Sequence, residues 1–156
     1  MQPVTPQPEH QWLHKLVGEW TYETECIMGP DQPPMKHSGT EVVRSLGGLW
    51  TLGEGTNEHG TSLMTLGYDP VQQRFVGTFV ASMMTHLWVY NGSLDADGRV
   101  LTMDCEGPTF TEAGGMAHYQ DIFEFLDDGR RTLKSQTRQP DGSWKQFMSG
   151  VYTRTK

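Results

Sequence analysis

Residues 19–28 have a strand-like composition, with Trp20, Tyr22, Thr24 and Cys26 on one parity and Glu19, Thr21, Glu23 and Glu25 on the other. A period of two sends successive side chains to opposite sides of a strand, so this stretch predicts one face against a core and one in water. Segments of the same kind recur to the end of the chain, over 38–45, 49–56, 61–68, 74–82, 84–93, 99–105, 116–126, 130–137 and 144–153. Turn chemistry separates them: Gly47-Gly48, His59-Gly60, Tyr68-Asp69-Pro70, Asp95-Ala96-Asp97-Gly98, Asp127-Asp128-Gly129 and Pro140-Asp141-Gly142. One segment has a different period. Trp12, Leu13, Leu16 and Val17 recur at helical spacing between Glu9, suited to a first turn, and Gly18, suited to a stop. So short a helix is marginal alone and must lie across an apolar surface to persist.

Ten short strands joined by hairpin-like turns, with one helix, predict an all-β antiparallel meander. A flat sheet of that size would expose two edges, whereas closure removes both and encloses a space. The expected architecture is therefore an up-and-down barrel of about ten strands with the short N-terminal helix closing one end; a two-sheet sandwich is the alternative. Residues 1–8 carry three prolines and read as a loose lead-in, leaving 9–156 as one barrel domain. The proline-rich stretch 29–34 reads as a loop.

Composition narrows the partners. The 12 Lys and Arg against 19 Asp and Glu give a net charge of −7, with no basic run, which argues against a nucleic acid or an anionic membrane surface. Cys26 and Cys105 form no metal-ligand or redox spacing, and with no apolar leader or 18-residue apolar run the expected setting is cytoplasmic with both thiols reduced.

Four fragments, taken in order, carry a resemblance: Leu16-Val17-Gly18-Glu19-Trp20, Gly47-Gly48, Leu66-Gly67-Tyr68-Asp69-Pro70 and Tyr152-Thr153-Arg154. Together they resemble the lipocalin-like (calycin) proteins, and most closely the domain-of-unknown-function family 1579, over residues 9–154. The resemblance implies a barrel with an internal cavity and names no reaction or ligand. It also implies that Trp20 packs at the barrel base with Arg154 over it. Independent of it, an indole at a narrow end covers apolar area, and an arginine can stack on it while donating to nearby carbonyls. Gly18, Trp20 and Arg154 are thus expected to close the barrel.

For chemistry, the histidines come first. His10 and His14 stand four apart on the helix but lack an HExxH pattern, and His37 and His59 fall in or beside turns and read as surface residues. His86 shares a parity with Trp88 and Tyr90, opposite Leu87 and Val89. His118 shares one with Gln120, Ile122 and Glu124, opposite Tyr119, Asp121, Phe123 and Phe125. Which parity faces inward is open at this stage. If it is the first, His86, Trp88 and Tyr90, with His118, are ligand-binding candidates in an aromatic, polar pocket. A metal held by His86 and His118 with Asp104, Glu106 or Asp121 fits no ligand spacing, and no haem or other cofactor pattern is visible, so neither metal nor cofactor is expected. No GxSxG serine or cysteine–histidine motif marks a nucleophile.

The leading reading is a barrel holding a small apolar or amphipathic ligand. Met64, Met83, Met84, Met103, Met116 and Met148 read first as flexible core filling, and an adaptable cavity wall for an apolar tail would give the same pattern. One alternative is a small barrel enzyme with His86 or His118 as general base, oriented by Tyr90 or Asp121. Another is a filled scaffold, for which an outer apolar patch at a homodimer contact would be the sign.

Overall fold

The computed structural model describes residues 1–27 and 29–156. A helix, α1 (Pro8–His14), precedes ten strands: β1 (Gly18–Cys26), β2 (Met35–Leu46), β3 (Trp50–Asn57), β4 (Gly60–Asp69), β5 (Arg74–Ala81), β6 (Trp88–Leu94), β7 (Val100–Pro108), β8 (Met116–Asp127), β9 (Arg130–Arg138) and β10 (Trp144–Arg154). Each strand pairs antiparallel with its sequence neighbours, and β10 pairs with β1 from Trp20↔Arg154 to Cys26↔Met148, closing the barrel. The up-and-down barrel is the observed fold, and the sandwich is not.

Burial in β1 follows the alternation of the sequence: Trp20 is buried, Tyr22, Thr24 and Cys26 are half-buried, and Thr21, Glu23 and Glu25 are exposed. Boundaries shift where pairing overrides local composition. β2 begins at Met35, three residues before the expected start, because Met35, Lys36 and His37 continue the ladder against Cys26, Glu25 and Thr24. β6 begins at Trp88, which pairs with Phe79; Met84–Leu87 form a connection instead of the start of the strand. The expected first strand ran to Met28, and that last position lies outside the described residues. The helix stops at His14, earlier than Val17, as residues 15–17 tighten into i→i−3 turns onto the carbonyls of Trp12, Leu13 and His14.

Those turns bring the chain round to Gly18 and seat α1 across the end where β1 starts and β10 finishes. Trp12 and Leu13 are buried there; the Trp12 indole donates to the Gly98 carbonyl at 2.7 Å and packs edge-on to Phe75 and Phe125. His10 is a tether. Its Nδ1 accepts the Gln7 backbone N–H at 2.8 Å, which leaves Nε2 to donate to the Tyr68 carbonyl at 3.0 Å.

Trp20, 1 % exposed, seals this end from within and donates to the Leu16 carbonyl at 2.8 Å. The Arg154 guanidinium lies 4.3 Å from its ring and donates to the carbonyls of Val17 (2.6 Å), Lys15 (2.7 Å) and Asp128 (3.0 Å). Gly18 sits at φ +142°, and a Cβ there would come within 2.4 Å of Arg154 Nη1. Glycine is the residue that admits both the backbone and the arginine. Among the described residues, no helix is long and apolar enough to cross a membrane.

Candidate functional site

Closure at one end leaves the interior accessible from the other. The barrel holds a cavity of about 370 Å³ whose lining runs from Leu16 at the helix end to Met83, Met84 and Phe110 in the loops of the far end. That volume lies within the range of small-molecule sites. Met64, Phe79, Met83, Met84, Phe147 and Met148 give its outer wall a deformable apolar surface.

The inner end is polar. Arg131 projects inward from β9, 2 % exposed, and pairs with Glu41 of β2. Its guanidinium is stacked between Trp20 (4.6 Å) and Tyr152 (4.1 Å), directly above the closed end. Burial pushes the Tyr152 phenol up, with Glu41 adding to the rise and Arg131 opposing it. The Nε of Arg131 is buried without a hydrogen-bond partner. The hydrogen bonding of this buried pair is therefore incomplete, a cost that its stacking on the two rings offsets in part.

A second polar group sits on the β6, β8 and β9 wall. Asp121 accepts from the hydroxyls of Tyr90 and Ser135, each at 2.5 Å. Asp121 is half-buried because it borders the cavity, and enclosure by the barrel raises its pKa against the lowering effect of those two donors. The Tyr90 phenol is held well above its ordinary value by burial and then by the Asp121 charge. The Cys105 thiol is pushed up to about 12, by burial first and then by Asp121 and Asp104, so it stays protonated and unreactive at neutral pH.

The candidates from the sequence separate here. Trp88 and Tyr90 point inward and line the cavity, while Leu87 and Val89 of the opposite parity are exposed. His86 lies in the connection before β6, edge-on to Trp88 at 4.8 Å, with its Nε2 2.9 Å from the Glu106 carbonyl oxygen. His118 faces outward on β8, its side chain 60 % exposed and 3.4 Å from the Glu106 carboxylate. Neither histidine lines the cavity.

Two groups of residues escaped the sequence reading. Arg131 and Glu41 stand 90 positions apart, and only the parity of Arg131 with Leu133 and Ser135 hinted that it points inward. His37 also projects inward from β2 and lines the cavity, and its ring meets His59 at the mouth with Glu58 beside both. Sequence spacing gave no sign of that meeting.

The sequence profile described as "Protein of unknown function (DUF1579)" matches residues 5–154. No curated protein matches the chain. Among solved structures, Rv2717c from M. tuberculosis is similar at 12 % identity and a TM-score of 0.67, covering 97 % of this chain and 100 % of its own. The S-type phycobiliprotein lyase CPES from Guillardia theta is similar at 13 % identity and a TM-score of 0.57, covering 96 % and 94 %. At these identities the likeness is one of fold.

Proposed function

This chain belongs to the family of proteins of unknown function DUF1579, and we propose that it binds a small apolar or amphipathic molecule inside the barrel. The observation that carries the reading is the 370 Å³ cavity itself, whose lining sets the Arg131–Glu41 pair at the inner end and Met64, Phe79, Met83, Met84, Phe147 and Met148 toward the mouth. An amphipathic ligand would direct its polar group toward Arg131, Glu41 and Tyr152 and lay its apolar part along the methionines and phenylalanines nearer the mouth. Trp88 and Tyr90 are the contact residues on the wall; His86 and His118 stand outside the contact set. A cytoplasmic setting belongs to the same proposal, with Cys26 and Cys105 as unpaired thiols.

Native mass spectrometry of the purified protein, before and after solvent extraction, tests this directly. Titration of the extracted protein with 1-anilinonaphthalene-8-sulfonate, an amphipathic anion, follows. The expected outcome is an extractable mass or a saturable 1:1 uptake of the probe that quenches tryptophan emission, and that quenching is reduced in Trp88→Phe. A protein with neither a copurifying molecule nor saturable uptake overturns the proposal.

A further inference from the structure

The mouth of the barrel carries a constellation that ligand storage does not require. His37 Nδ1 and His59 Nε2 are 3.1 Å apart, and Glu58 Oε1 lies 3.7 Å from the first and 3.5 Å from the second. Three lone-pair donors thus face one another across a triangle. A tetrahedral ion bound at about 2.0–2.1 Å spaces its ligand atoms by about 3.3–3.4 Å, so the three distances match the edges of one coordination face to within a few tenths of an ångström. We propose that His37, Glu58 and His59 bind a divalent transition-metal ion, with Zn²⁺ the first choice for two imidazoles and a carboxylate.

The supporting structure is held from both sides. His37 is on β2, where it pairs with Thr24 of β1, and its side chain is 17 % exposed. Glu58 and His59 form the two-residue turn between β3 and β4, and Asn57 fixes that turn by accepting the His59 backbone N–H at 2.8 Å. The same Asn57 donates to the Tyr22 hydroxyl at 3.1 Å, tying the turn to the cavity wall. The His37 and His59 rings meet edge to face, at 81° and 4.7 Å between centroids. Without an ion, the two ring nitrogens share a hydrogen bond. A cation takes the place of the proton between them and lies beside the Glu58 carboxylate.

Among the described residues this is the one cluster of three or more His, Cys, Asp or Glu ligand atoms within such reach. His10 is no competitor, since both of its ring nitrogens are engaged by backbone groups. Three protein ligands leave a coordination position for water or another donor, the pattern of an open site and not of a closed structural one. His37 also lines the cavity, so the ion would stand at its mouth.

The test uses untagged, chelator-stripped protein titrated with Zn²⁺ calorimetrically and with Co²⁺ by its visible d–d bands. The expected result is one equivalent bound with tetrahedral Co²⁺ absorption. Affinity should fall at least about tenfold in each of His37→Ala and His59→Ala, and stay unchanged in His118→Ala. Circular dichroism and melting of each variant establish that the barrel is intact, and His59→Ala, on an exposed turn, gives the reading if His37→Ala does not fold. Absence of saturable binding overturns the site, as does binding that survives either histidine substitution in a folded variant; the pair is then only a hydrogen bond between two rings.

Discussion

At the scale of single residues, Asp121 concentrates the electrostatics of the interior. Enclosure raises its pKa, and the Tyr90 and Ser135 hydroxyls offset part of that rise. A carboxyl whose folded pKa is raised holds its proton more tightly folded than unfolded. Its contribution is therefore fully present below the unfolded value of about 3.9 and is lost as pH rises through the folded value. Asp121→Asn removes the ionisation and keeps a group that can bond both hydroxyls. It should be at least as stable as the wild type at pH 7, with the difference shrinking as pH falls toward 4. Asp121→Ala strips both hydroxyls of their acceptor and should cost about 1–3 kcal/mol. Urea unfolding across that pH range checks both. An Asp121→Asn protein clearly less stable than wild type at pH 7 would show that the ionised carboxylate is the favoured form.

At the scale of elements, α1 stays helical through what it is tied to. Seven residues cannot hold a helix on propensity, and the ties are Trp12 to Gly98, His10 to Tyr68, and Arg154 to the carbonyls that follow the helix. Arg154 spreads its donors over Lys15, Val17 and Asp128 while stacking on Trp20, a geometry that depends on the planar guanidinium. Arg154→Ala should lower stability by about 1–3 kcal/mol in urea unfolding, and Arg154→Lys should recover little of it. Wild-type stability in Arg154→Lys would mean that charge alone holds the joint. The strands themselves were legible because their determinants are local: alternation such as Trp20 to Cys26 and turns such as Asp127-Asp128-Gly129 sit within a few residues of what they specify. The start of β2 at Met35 was not, since it is set by pairing with Cys26 across a loop.

At the scale of the whole molecule, closure decides what the sequence left open. Where the chain enters β6 both parities are apolar, with Trp88 and Tyr90 against Val89 and the preceding Leu87, and only the finished barrel sends the aromatics in and the aliphatics out. The same closure brings together Arg131 and Glu41, or His37 and His59, which no local pattern could relate. It also sets the shape of the cavity, and that shape yields a decisive substitution. Ala81, at the end of β5, lines the cavity near the loops that carry Met83 and Met84. Replacing its methyl with an indole in Ala81→Trp places a large apolar side chain in the passage, away from the polar inner end and from the joint at Arg154. Binding of 1-anilinonaphthalene-8-sulfonate should weaken by at least about tenfold, or roughly 1.4 kcal/mol, while the melting temperature shifts by only a few degrees. The outer surface also exposes Val80, Leu87 and Val89, which offer the dye an alternative place to bind. Undiminished binding in a folded Ala81→Trp protein would assign the dye to that exterior, whereas loss of binding with the fold retained locates it inside the barrel.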